Sequence, residues 1–263
     1  MMENIETQFL TTDGFARSDA ERIAYKVNDG AKPVTFIWCG GLRSDMEGGK
    51  AIHLHGWAAE NDYPYVRFDY YGHGESSGNF EVAHIGRWAE DVTAVIDNLT
   101  VGDVVLVGSS MGGWASLLTA SRHERVKGLL LIAPAPDFTQ KLMWEGFSPD
   151  IQNTILEQGV YYEPSPYGEP MPISKILIEE SAKYQILDGP IKFSGPVRIL
   201  QGMLDVPVPW QHALKIVDAL ESDNVEVTFV KDGDHSLSRP HDLERLVSVV
   251  ESIAAQLTTD ESP

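Results

Sequence analysis

Cysteine is nearly absent: the 263-residue chain has one, Cys39. A lone thiol excludes an internal disulfide framework and fits a reducing compartment, so cytoplasm is the expected location. Cys39 closes the apolar run Val34 to Trp38 and reads as a small packed residue. Basic residues are scarce, with 20 Lys and Arg against 39 Asp and Glu, for a formal charge of −19. A surface of that sign repels phosphate backbones and anionic headgroups, which argues against nucleic-acid or membrane-surface partners. Long apolar runs are missing. No stretch reaches the roughly 18 residues of a membrane span, and the opening MMENIETQFLTTDGF has no signal-peptide core. Repeats, low-complexity tracts, a phosphate-cradling glycine loop and a metal-ligand cluster are absent too, so no metal and no cofactor is expected. The partner left by these exclusions is a small-molecule or acylated substrate.

What remains is an alternation of strand-like and helix-like runs, the signature of an α/β protein with a mostly parallel central sheet and helices on both faces. The length suits a single domain over residues 1–263. Gln8 to Thr12, Ile23 to Val27 and Val34 to Cys39 follow one another closely and predict an opening hairpin. Helices are expected near Lys50 to Asn61, Ile85 to Leu99, Gly112 to Ser121, Gln211 to Leu220 and Asp242 to Gln256. Strands are expected at Tyr65 to Tyr70, Val104 to Val107, Gly128 to Ala133, Val197 to Gly202 and Glu226 to Val230. Between Pro134 and Pro196 prolines break the rhythm, which predicts an inserted helical cap at about 136–196 with a helix over Ile173 to Gln185. Its aromatic residues, Phe138, Trp144, Phe147, Tyr161, Tyr162, Tyr167 and Tyr184, either line an apolar acyl pocket or pack the cap onto the body. Trp144 and Tyr162 are the first choices for the pocket.

The run DVVLVGSSMGGWASLL sets Gly108-Ser109-Ser110-Met111-Gly112 between a buried-strand pattern and a helical one. A serine hydroxyl is a poor nucleophile unless it stands exposed on a sharp turn where a histidine takes its proton, so Ser110 is the candidate nucleophile. Glycines at 108 and 112 give that turn room. The pattern alone decides little, because Gly74-Glu75-Ser76-Ser77-Gly78 matches it as well. Context separates them: no strand runs directly into Ser76 and no apolar-periodic helix leaves it.

Eight histidines compete for the role of base. His235 lies in KDGDHSLSRP, just after the strand at Glu226 to Val230, at the carboxyl edge where open α/β sheets bind ligands. His53 and His55 fall inside a helix at a spacing that faces two sides. His123, His212 and His241 mark helix ends. His73, in the turn Gly72-His73-Gly74, is the competitor, although it precedes the serine. For the orienting acid, Asp205 follows the strand Val197 to Gly202, and its alternative duty is to cap the helix starting near Trp210. Asp188, near the cap exit, is the second choice.

The order Ser110, Asp205, His235 is that of the α/β-hydrolase fold. The segments FIWCGGLRSDM, RFDYYGHGESSG, VGSSMGG, LQGMLDVPVPW and DGDHSLSRP together resemble the branch of serine esterases that includes the mitochondrial acyl-protein thioesterases and acyl-glucuronide esterases of animals and their bacterial relatives. The resemblance implies hydrolysis of a carboxylic ester or thioester through an acyl-serine. It also implies an oxyanion hole built from the backbone N–H of Leu42, after Gly41, and of Met111. A bulkier residue usually precedes that glycine, where this chain has Gly40, so a donor shifted by one position stays open. No organellar transit peptide is visible at the start. Two other readings stand beside hydrolysis of an acyl ester: carbon–carbon bond or amide hydrolysis on the same fold, and a non-enzymatic ligand-binding module.

Overall fold

Apolar runs become strands wherever both of their faces can be covered. In the computed structural model, which describes residues 5–11, 21–164 and 169–259, eight strands form one sheet: β1 (Gln8–Thr11), β2 (Arg22–Asn28), β3 (Val34–Cys39), β4 (Tyr65–Phe68), β5 (Asp103–Ser109), β6 (Val126–Ile132), β9 (Val197–Gly202) and β10 (Val225–Val230). Their order is β1-β2-β4-β3-β5-β6-β9-β10, antiparallel for β1 with β2 and β2 with β4, parallel elsewhere. The antiparallel pair β1 and β2 is the expected opening hairpin, and β3 starts the first crossover. β4 returns by a helical crossover to lie between β2 and β3, as parallel strands require.

Every residue of β3 and β4 is buried, as is all of β5 after Asp103. Helices cover both sheet faces. One layer packs α2 (Ile85–Leu99), α3 (Met111–Ala120) and α6 (Gln211–Ala219) through Trp88, Trp114 and Ile216. The other packs α1 (Gly49–Glu60) and α7 (Pro240–Thr259) through Leu54, Trp57, Leu246 and Ile253. No helix among the described residues is long and apolar enough to cross a membrane.

The segment after β6 holds more than helices. A π-helical turn at Thr139–Met143 leads to α4 (Pro149–Gln158), a two-stranded hairpin of β7 (Val160–Glu163) and β8 (Met171–Ser174), and α5 (Lys175–Ser181). The helix expected over Ile173 to Gln185 therefore starts later. Ile173 pairs with Tyr161 in the hairpin, and the Ser174 hydroxyl accepts the Leu177 N–H to cap α5. Tyr167 lies outside the described residues. Two buried groups hold the base of the segment, one between its own two ends and one to the body. Asp137 accepts the Ile186 and Leu187 N–H groups at 2.9 and 3.0 Å, and His212 Nε2–H donates to the Pro136 carbonyl at 2.7 Å.

Candidate active site

β5 ends on Ser109, and the chain reverses at Ser110 before α3 begins. The reversal sits on the serine itself, with φ 55° and ψ −117°. That conformation is costly for a residue with a side chain and persists only where its surroundings enforce it. Here the Ser110 N–H donates to the Ile132 carbonyl at 2.9 Å, and its own carbonyl accepts from Gly113 and Ala135. The neighbouring glycines serve close approach rather than a positive φ. A Cβ on Gly112 would strike the Cys39 carbonyl, so α3 could not reach β3.

His235 and Asp205 reach Ser110 from loops after β10 and β9, at the carboxyl edge of the sheet. His235 Nε2 lies 3.1 Å from Ser110 Oγ, and His235 Nδ1 lies 2.7 Å from Asp205 Oδ2. The Asp205 side chain is fully buried and held from two more directions. Gln201 Nε2 donates to Oδ2 at 3.1 Å, and the Val208 N–H to Oδ1 at 2.8 Å. It does not cap α6, whose N-cap is Trp210. Asp188 is instead exposed and faces Lys141 at 3.4 Å.

The other candidates are occupied elsewhere. Ser76 Oγ accepts the Ala24 N–H at 2.8 Å and donates to the Asp69 carbonyl at 2.6 Å, which makes it a tie between β2 and the following loop. His73 is buried and sits against Arg43. His55 is buried in α1, where its Nδ1 accepts from Arg67 Nε at 3.3 Å. Burial and then the Arg67 charge push it down to about 4.

Ser110 opens into a cavity of about 730 Å³. Its apolar lining comes from Phe138, Leu142 and Met143 of the segment after β6 and from Leu204, Val206 and Val208 of the acid-bearing loop, and its polar lining includes Ser44, Lys50, Asp234 and Ser238. Lys50 went unnoticed in the sequence, yet its ammonium donates to the Ser236 carbonyl and to Ser238 Oγ (3.3 Å), tying α1 to the loop that carries His235. Gln201 was missed as well, because its partner lies in the loop beyond its own strand. Leu42 and Met111 both line the cavity. The Met111 N–H is the first of α3 and has no intrahelical acceptor. The neighbouring Arg43 N–H is taken by His73 Nε2 at 3.0 Å, which leaves that position no donor to offer.

Two expected pocket residues are not there. Trp144 packs into a small separate core with Ile155, Ile173 and Ile178, because the π-helical turn before it aims Leu142 and Met143 at the cavity instead. Tyr162 is half exposed, and its hydroxyl donates to Glu81 at 2.8 Å. Among the described residues, no group of three His, Cys, Asp or Glu side chains is placed to hold a metal ion.

Comparison with known proteins agrees with this architecture. The Hydrolase_4 family model, described as serine aminopeptidase S33, matches residues 44–158. The human palmitoyl-protein thioesterase ABHD10, a mitochondrial protein, is 33% identical over 246 residues, covering 92% of this chain and 80% of that protein. Mouse ABHD10 superposes with a TM-score of 0.85 at 32% identity over 96% of this chain and 99% of its own. A candidate hydrolase from Agrobacterium vitis S4 superposes with a TM-score of 0.89 at 42% identity, over 95% of this chain and 99% of its own.

Proposed function

Since the chain belongs to the α/β-hydrolase family that includes the ABHD10 palmitoyl-protein thioesterases, we propose that it cleaves an acyl ester or thioester through an acyl-serine on Ser110. One observation carries the reading: the Asp205–His235–Ser110 hydrogen-bond chain ends in a cavity with much apolar lining. His235 Nε2 takes the hydroxyl proton as Ser110 Oγ bonds to the acyl carbon. The Asp205 carboxylate keeps the ring in the tautomer with Nδ1–H and stabilises the imidazolium that forms. The carbonyl electron pair moves onto oxygen, where the N–H groups of Leu42 and Met111 stabilise it. Collapse breaks the bond to the leaving group, which departs as alcohol or thiol with the proton from His235. Water then attacks the acyl-serine, gives its proton to the same nitrogen, and releases the carboxylic acid and Ser110.

The relatives named for palmitoyl-protein thioesterase activity and the apolar lining of Phe138, Leu142, Met143, Leu204 and Val206 favour a long acyl group. A panel of esters and thioesters of graded chain length, run on the wild type and on Ser110→Ala, tests the proposal. Turnover is expected with the wild type alone. Equal rates for the two proteins, or none for the wild type, would overturn it.

A further inference from the structure

One sequence segment has no task in this reaction: Asp69-Tyr70-Tyr71-Gly72-His73-Gly74-Glu75, which leads from β4 into the second match to the nucleophile pattern at 74–78. It lies against the loop that follows β3 and carries Leu42. The His73 ring is buried edge-on against Tyr70, Phe80 and Trp88. Its two nitrogens have different duties. Nδ1 lies 3.2 Å from the Tyr71 carbonyl, an acceptor, so Nδ1 carries the proton and donates it there. Nε2 is then the lone-pair nitrogen, and it accepts the Arg43 N–H at 3.0 Å. Asp69 makes a second tie, taking the Met46 N–H on one carboxylate oxygen at 2.7 Å and the Glu75 N–H on the other at 2.8 Å. Gly74 is required for this, since a Cβ there would collide with the Asp69 carboxylate.

Arg43 stands at φ 55°. A side-chain-bearing residue keeps that left-handed conformation only where contacts hold it. We infer that His73 is a positioning residue, whose grip on the Arg43 N–H fixes the turn that presents the Leu42 N–H to the oxyanion. Two features of the site follow. The Arg43 N–H, next to that of Leu42, is occupied by the ring. The brace also persists in acid, because burial pushes the His73 ring down to about 4 and so preserves the lone pair on Nε2.

The inference rests on the proposed hydrolase reading, and the experiment separates the two. His73→Leu keeps bulk without an acceptor, His73→Gln returns an acceptor near the position of Nε2, and Phe80→Leu loosens the same ring cluster without touching the bond. Each is assayed for kcat and KM, for inhibition by a trifluoromethyl ketone whose adduct mimics the oxyanion, and for Tm. His73→Leu should lower kcat by about 10² with KM within about twofold, and weaken the ketone by the same factor as kcat/KM. His73→Gln should recover most of this, and Phe80→Leu should lower Tm with kcat little changed. Wild-type kcat and ketone affinity in His73→Leu overturns the inference, as does an equal loss of kcat in Phe80→Leu. Nitrogen-15 NMR of the wild-type imidazole covers the case in which His73→Leu does not fold. An Nδ1–H tautomer is expected, and an Nε2–H tautomer contradicts the Arg43 bond. A wild type without Ser110-dependent turnover sinks the hydrolase reading itself, and the tautomer still decides whether the brace exists.

Discussion

At the scale of single residues, the site is a set of side chains that each have one geometry open to them. Ser110 is held in a strained turn by backbone bonds on both sides, which present its Oγ 3.1 Å from His235 Nε2. Ser110→Ala keeps those backbone bonds, and kcat is expected to fall by about 10³ or more, with a fluorophosphonate probe no longer attached. Labelling that survives there but disappears in Ser76→Ala would transfer the role to the other motif. Asp205→Asn offers an amide N–H where His235 Nδ1–H now donates. The ring should then flip to the tautomer that cannot take the serine proton, with a drop in kcat on the order of 10⁴ and an unchanged fold by circular dichroism. Asp188→Asn, on an exposed carboxylate paired with Lys141, should leave kcat at the wild-type level. Ser110, Asp205 and His235 were legible because each follows an apolar strand within a few residues, so the strand pattern locates it. His73, Lys50 and Gln201 were not, since their work lies in bonds to backbone or loops that sequence spacing does not reveal.

Between elements, legibility followed periodicity. The strands β3, β5, β6 and β9 are mostly apolar and almost wholly buried, and α2 shows an apolar face at helical spacing, so both signals were strong. The segment after β6 lacks either period. Its hairpin is two four-residue strands that bury little, and its side chains divide between a small core of their own and the cavity. Aromatic character alone therefore pointed to Trp144 and Tyr162, whereas the apolar lining of the cavity comes from Phe138, Leu142 and Met143 together with Leu204 and Val206. Leu204 is 63% and Val206 86% exposed on either side of the buried Asp205. Large apolar groups left so open beside the cavity offer surface for a bound acyl chain to cover. Each substrate CH₂ that reaches them should contribute up to about 0.8 kcal/mol, so kcat/KM is expected to climb along an acyl series. Leu142→Ala or Val206→Ser should flatten that climb and spare the shortest ester. Tyr162→Phe should leave the series unchanged, having lost only its bond to Glu81. A flattened series in Tyr162→Phe alone would move the acyl site to the hairpin.

Across the whole molecule, proton linkages of opposite sign contribute to the response to acid. His55 and His73 are buried as neutral rings and pushed down to about 4, while in the unfolded chain they titrate near 6.5. Between pH 6.5 and 4 the unfolded chain therefore binds more protons at these positions, and stability must fall as pH falls through that window. Burial acts in the other direction on Asp69 and Asp137, whose carboxyls are raised above the usual range, so the folded state takes up their protons first and offsets part of the loss near pH 4. Acidification also relieves the repulsion that accompanies a net charge of −19. A single stability profile cannot separate these contributions, but a difference between two proteins can. His55→Asn keeps an acceptor for Arg67 and has nothing to titrate, and it leaves the aspartates and the global charge as they are. Its deficit relative to the wild type in urea unfolding should therefore shrink as pH falls from 6.5 toward 4, by roughly 1.4 kcal/mol for each pH unit at most. A gap that stays constant from pH 7.5 to 4.5 would mean that His55 carries the same proton in the folded and unfolded chain, and that acid sensitivity must come from other groups.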